Sequence, residues 1–143
     1  MLDNRAKWKT QYVFIPSSSK FHLLVREIFT VDLFFKQLKC FQEVPVAALV
    51  STYPNNYDCV DWYIDELNVI IELHGIQHYK MQSFGSKDSF FNQKKAFNNI
   101  KYRDNRKKSA LLDEGYYYIE ISYKEISIIN AEYLKRKIEE AYV

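Results

Sequence analysis

The stretch 61–78 reads Asp-Trp-Tyr-Ile-Asp-Glu-Leu-Asn-Val-Ile-Ile-Glu-Leu-His-Gly-Ile-Gln-His, and it constrains the fold more than any other part of the chain. An apolar run carrying Asp61 meets a polar turn at Asp65, Glu66 and Asn68. A β-branched run, Val69-Ile70-Ile71, follows and ends in Glu72 and His74. Two strands joined by a tight turn fit this pattern. Such a hairpin brings Asp61 on the first strand close to Glu72 near the end of the second. Glu72 and His74 are two residues apart, so on a strand they share a face while Leu73 points into the core. Gly75 lets the chain turn sharply off the strand end. Two carboxylates and two imidazoles, His74 and His78, are thereby expected to converge where the sheet stops.

The rest of the chain supplies a frame for that hairpin. Ser17-Ser18-Ser19 after Pro16 is a helix-start signal, since serine hydroxyls accept the unpaired first-turn N–H groups. Phe21, Leu24, Val25, Ile28, Phe29, Phe35 and Leu38 have helical spacing, predicting a first helix that runs to about Lys39. Residues 44–50 fit either a strand with Pro45 near its start or a short helix. Residues 1–16 read as an arm or short strand, and 79–87 as a loop. A long helix is expected over 88–114, stopped by Gly115. A strand over 116–122 and a final amphipathic helix from about Asn130 complete the order. This is an α/β chain (α+β, with a mixed sheet), and its 143 residues suit one domain.

Charge helps through its distribution. The net charge is only +2, too small to argue for a polyanionic partner from the total. Yet Lys94, Lys95, Lys101, Arg103, Arg106, Lys107 and Lys108 face a single acid, Asp104, within 94–108. A basic helix on a nearly neutral protein suits a phosphate-bearing partner. Cys40 and Cys59 form neither a disulfide framework nor a CxxC zinc pattern, so a reducing compartment is expected. No apolar stretch has membrane-spanning length, and no signal-peptide pattern is present.

Two close carboxylates repel unless a cation or a shared proton sits between them. Hard oxygen ligands suit Mg²⁺ or Mn²⁺. Enzymes commonly remove ~8–23 kcal/mol from a barrier, whereas a positioned general base supplies only ~10²–10⁴-fold. The histidines alone are therefore insufficient, and a metal ion is expected. Asp61 and Glu72 are assigned to it. His74 and His78 would move protons or help hold the ion, and Lys107 would steady the pentacovalent phosphate. The chemistry expected is hydrolysis of a phosphodiester.

Asp61, the Glu72-Leu73-His74-Gly75 corner, His78-Tyr79, Asp104-Asn105-Arg106-Lys107, Gly115 and Tyr118-Ile119-Glu120-Ile121 resemble the PD-(D/E)XK nuclease superfamily. The branch most similar is that of very-short-patch-repair endonucleases and EDxHD phage homing endonucleases. The resemblance covers roughly residues 19–123. It implies a restriction-endonuclease-like αβββαβ core, here with an additional C-terminal helix. It implies a divalent-metal-dependent endonuclease acting on DNA, with Mg²⁺ or Mn²⁺ held by Asp61, Glu72 and the backbone carbonyl of Leu73. Two departures stand out. Val60 precedes Asp61 where relatives carry proline, and His74 stands where many carry lysine or aspartate. The glutamate that relatives place early in helix one is matched by His22 in spacing or by Glu27 about a turn on. These two, with Gln77 and Asp104, are additional site candidates. Lys94, Lys95, Lys101, Arg103, Arg106 and Lys108 are the candidate DNA contacts. A homing or mobile-element role is favoured over mismatch repair, because the cysteine and histidine spacing of a structural zinc site is absent. The resemblance implies a cytoplasmic protein of a phage or bacterial host. The small size suggests a homodimer or a separate specificity factor. The alternative is a nucleic-acid-binding or assembly protein on a catalytically degenerate nuclease fold.

Overall fold

The computed structural model describes residues 19–76 and 90–143. The arm predicted over 1–16, the loop over 79–87, and Gln77 and His78 lie outside the described residues. Helix α1 (Lys20–Val31) leads into strand β1 (Cys40–Pro45) and a single turn, α2 (Val46–Leu49). The hairpin follows as β2 (Cys59–Ile64) and β3 (Val69–His74). Helix α3 (Phe90–Asp113), strand β4 (Tyr117–Ser122) and helix α4 (Ala131–Ala141) complete the chain. The four strands form one mixed sheet in the order β1-β2-β3-β4. The first two pairings are antiparallel, and β3 pairs parallel with β4. The α/β expectation is thus met by a mixed α+β arrangement with four α-helices among the described residues. None of these helices is long and apolar enough to cross a membrane.

Local chemistry explains most boundaries. Ser19 caps α1 by accepting the His22 N–H. The helix stops at Val31 rather than running to Lys39. Asp32 turns extended, and its carboxylate accepts the N–H groups of Phe34 and Phe35, starting a separate 3₁₀ turn over Phe35–Gln37. An aspartate that caps the next turn competes with continuing the previous one. The ambiguous stretch 44–50 resolves into both predicted forms, the strand ending at Pro45 and the turn of helix beginning at Val46. Asn68, at φ 57°, closes the β2–β3 turn in the left-handed region that asparagine tolerates. Gly115 adopts φ +97°, and its N–H donates to Leu112 C=O while Tyr116 N–H donates to Leu111 C=O. This left-handed residue ends α3. Asn130 caps α4 through the Tyr133 N–H.

The sheet is covered on both faces. On one, α1 and α4 bury Val25, Phe29, Leu134 and Ile138 against Trp62, Ile64, Ile71 and Ile121. Phe29 meets Trp62 edge to face at 5.0 Å between ring centroids. On the other face, α2 and the last turns of α3 bury Leu49 and Leu111 against Phe41, Val44, Tyr63 and Ile70. Every residue of β3 is buried, as expected of an interior strand covered twice. Truncating Trp62, fully buried between these layers, would cost about 3–5 kcal/mol.

One irregularity matters for function. Phe41 and Val44 are three apart, yet both join the same apolar cluster, as do their cross-strand partners Tyr63 and Val60. Strict alternation would put them on opposite faces. The pleat slips because Glu43, between them, takes φ 55°.

Candidate active site

The hairpin ladder runs Ile64↔Val69, Tyr63↔Ile70, Trp62↔Ile71 and then gives way to side chains. Asp61 N–H donates to Glu72 Oε1 at 3.2 Å, and Leu73 N–H donates to Asp61 Oδ2 at 2.7 Å. Each strand thus offers its backbone N–H to the other strand's carboxylate. The expected meeting of Asp61 and Glu72 is what the structure contains, with the two carboxylates locked across the end of the strand pair.

Asp61 Oδ1 faces the other way, toward α1. It lies 3.5 Å from His22 Nε2. Glu43 joins them, so that one ligand atom from each of His22, Glu43 and Asp61 lies within 4.8 Å of the others. A spread of this size lets three donors close around one cation. The left-handed backbone at Glu43 belongs to the same place. A bulky non-glycine residue at positive φ is uncommon, and such residues gather at functional sites where the surroundings enforce them. Burial lowers the pKa of His22, against an opposing pull from Glu43. A neutral imidazole with a lone pair results, the form that ligates a metal. Gln42, almost fully buried, places its amide nitrogen Nε2 3.4 Å from His22 Nδ1. An N–H donated there makes Nδ1 the acceptor and puts the ring proton on Nε2, toward Asp61; turning the amide over to present its oxygen would reverse the tautomer and free Nε2 for a cation.

Glu72 serves a different partner. Its Oε2 accepts from Lys107 Nζ at 3.3 Å, and the same ammonium donates to Cys59 C=O at 2.9 Å. Burial alone would lower the lysine pKa, but attraction to Glu72 and Asp61 outweighs it and the net shift is upward. Lys107 therefore stays charged. Burial pushes both carboxyl pKa values up. For Asp61 the Leu73 N–H and Lys107 oppose the rise, while Glu43 and Asp104 reinforce it. For Glu72 the charge of Asp61 adds to burial, and Lys107 opposes. A site in which the acids resist ionisation is one that a divalent cation would stabilise strongly.

The structure sorts the remaining candidates. The metal-capable group contains His22, Glu43 and Asp61. Glu72 is held by Lys107 and is not in that group, and Leu73, whose carbonyl was the expected ligand, brings its N–H to Asp61 Oδ2. Between the two early-helix candidates, His22 reaches Asp61, and Glu27 stands exposed on α1. His74 is buried and lies 3.7 Å from Glu120. The parallel register explains this: Glu120 sits opposite Glu72 on β4, on the face His74 shares. Asp104, half-buried on α3, adds negative charge felt by Asp61, Lys107 and Tyr118. Lys94, Lys95, Lys101 and Arg103 are exposed on α3. Lys108 reaches Glu120 at 2.7 Å. Arg106, a candidate DNA contact, is also engaged within the fold. It donates to buried Asp58 at 2.7 Å and to the Tyr53 hydroxyl at 3.2 Å.

Glu43 and Gln42 were not foreseen. Their signal is a polar pair breaking the run Cys40-Phe41-Gln42-Glu43-Val44, which marks an interruption in a strand without revealing its direction. No protein-family model matches the chain, and a search of curated proteins finds no match either.

Proposed function

We propose that this chain is a divalent-metal-dependent DNA endonuclease of the PD-(D/E)XK type, a hydrolase of phosphodiester bonds. One observation carries the reading: Asp61 joins a His22–Glu43 group on one side and a Glu72–Lys107 pair on the other. The first is a ligand set. The second pairs an acid that resists ionisation with an ammonium that stays charged. His22, Glu43 and Asp61 would hold the ion. Two carboxylates and one imidazole suit Mn²⁺ at least as well as Mg²⁺. Bound there, the ion would polarise a phosphoryl oxygen and lower the pKa of an attacking water.

The chain's own groups complete the chemistry. Lys107 directs positive charge toward the phosphate, where negative charge grows as the water oxygen bonds to phosphorus and the P–O ester bond breaks. Held ionised by the charge of the bound ion and of Lys107, Glu72 would take the proton that the water releases. The exposed lysines of α3 would meet the DNA backbone. A homing or mobile-element setting is the biological role we favour.

Supercoiled plasmid incubated with Mn²⁺ or Mg²⁺ tests this. Wild type is expected to nick or linearise it, and Asp61→Ala and Glu72→Ala to lose at least about 10³-fold in rate. Cleavage that survives both substitutions would defeat the assignment. The second reading, a binding protein on a degenerate nuclease fold, draws on the neutralisation of Glu72 by Lys107. It predicts salt-sensitive DNA binding without turnover in either metal.

A further inference from the structure

Helix α3 is longer than the core needs. Only Lys107 and Leu111 are buried along it, and no residue of its N-terminal half is. That half carries apolar side chains in water: Phe90 is 68% exposed. Residues three and four apart share a helix face, so Phe90, Lys94, Phe97, Lys101, Asp104 and Lys108 line up as one stripe of aromatic rings and cations interrupted by a single half-buried acid. The side chains already pair along it. Lys101 Nζ sits 5.3 Å from the centre of the Phe97 ring. The C-terminal end of the stripe reaches the candidate active site, because Lys108 holds Glu120 beside His74 and its neighbour Lys107 holds Glu72. From Phe90 to Lys107 the axial rise is about 25 Å.

We propose that this stripe is a track for a DNA strand with unpaired bases, leading it to the Asp61 centre. The charge is complementary to a polyanion, as Lys94, Lys95, Lys101 and Arg103 stand exposed on this helix against one acid, Asp104. Charge alone would serve a closed duplex as well, since a duplex presents its phosphates and keeps its bases stacked inside. The Phe90 ring, 68% exposed, with the half-buried Phe97 ring beyond it, decides between the two. A phenylalanine face in water gains from stacking only on a base that is not already stacked, and alternation of rings with cations is how single strands are held. The substrate class is therefore DNA that is single-stranded or locally opened next to the cut. This deepens the nuclease reading and rests on it for the cutting step, but the binding stands apart from catalysis and is measured without metal.

Fluorescence anisotropy in EDTA, with labelled dT20 and a 20-base-pair duplex as probes, is the test. Wild type is expected to bind dT20 at least about ten-fold tighter than the duplex. Phe90→Ala with Phe97→Ala should weaken dT20 binding about ten-fold or more and leave duplex binding within about two-fold. Phe90→Ala alone, at a position too exposed to unsettle the fold, should weaken dT20 binding about five-fold. Phe91→Ala, equally exposed but off the stripe, should change neither probe by more than about two-fold. Lys94→Ala with Lys101→Ala should reduce the slope of log K against log salt for dT20 by about 1.4. Equal affinity for the two probes, or a phenylalanine effect shared by both, would overturn the proposal. Asp61→Asn should keep the dT20 preference. If wild type binds dT20 selectively yet cleaves nothing in Mn²⁺, the nuclease reading fails while the track stands.

Discussion

Arg106 and Lys107 are neighbours on one helix, and each reaches a buried acid, with opposite consequences. Arg106 meets Asp58, which also accepts from the Tyr53 hydroxyl and the Asn55 amide. Burial alone would push the Asp58 carboxyl up, but these three hydrogen bonds outweigh it and hold it below the usual carboxylate range. Lys107 meets Glu72, whose remaining oxygen has one backbone N–H from Asp61 and whose neighbour is a second carboxylate. There burial wins, and the pKa rises. The first pair is a structural clamp that ties the approach to β2 onto α3 through Asp58 Oδ2, while Oδ1 lies buried without a hydrogen-bond partner among the described residues. The second is short of positive charge, with Asp61 and Glu43 adding to the deficit. A buried acid whose pKa its partners hold down stabilises the fold, whereas one whose charge is left under-compensated is available for chemistry.

The sharpest way to break the contrast is to remove the two cations in turn. Lys107→Met keeps the stem and deletes the charge. Initial rates of plasmid cleavage should fall about 10²–10³-fold, with the melting temperature within a few degrees of wild type because Glu72 can take up a proton. Asp58→Ala should do the reverse. It removes the acceptor shared by Arg106, Tyr53 and Asn55 and should cost about 3 kcal/mol in denaturant unfolding. Activity at low temperature should then fall only as far as Lys107 is displaced. Equal activity losses in the two variants would erase the distinction.

Gln42 sharpens the metal side of the account. Gln42→Leu should weaken Mn²⁺ binding by about ten-fold or more, since a cation on His22 Nε2 needs the Gln42 amide turned to accept from Nδ1. Calorimetric titration reads this directly, and unchanged affinity would mean that His22 is oriented by something else.

The smallest effect separates the pairs by pH. Asp58 has a lowered native pKa, so its contribution is complete above the ordinary carboxylate range and is lost as pH falls through that lowered value. Asp61 and Glu72 have raised native pKa values. Without metal the native state then binds more protons than the unfolded chain between the ordinary and the raised values, so stability falls as pH climbs through that window. Melting curves in EDTA should therefore show wild type losing stability from about pH 5 to pH 8. Glu72→Gln should flatten the loss, and added Mn²⁺ should restore stability at the alkaline end. A loss that persists in Glu72→Gln with Asp61→Asn would place its origin elsewhere.

Much of this was legible in the sequence because it is local. The hairpin, the Asp61–Glu72 meeting, the inward Leu73, the stop at Gly115 and the cap at Asn130 follow from alternation, turn chemistry and capping. Lys107 was legible from the run of bases and the resemblance. What escaped depends on contacts far apart in the chain or on one backbone angle. Nothing in Gln42-Glu43 announces that Glu43 turns left-handed and swings its carboxylate toward Asp61. Nothing local reveals that Arg106 is drawn inward by Asp58, 48 residues earlier, while Lys101 and Arg103 stay in solvent. The register of β3 with β4 sets His74 against Glu120, and a parallel pairing between distant strands leaves no short-range mark.

The central claim is that Asp61 organises a divalent-cation centre with His22 and Glu43. Isothermal titration of Mn²⁺ into wild type, His22→Ala, Glu43→Gln and Asp61→Asn tests it most directly. The account predicts one site per chain in wild type, at least about ten-fold weaker binding in His22→Ala and Glu43→Gln, and none measurable in Asp61→Asn. Wild-type affinity retained in Asp61→Asn, or no heat of binding in wild type, would contradict it.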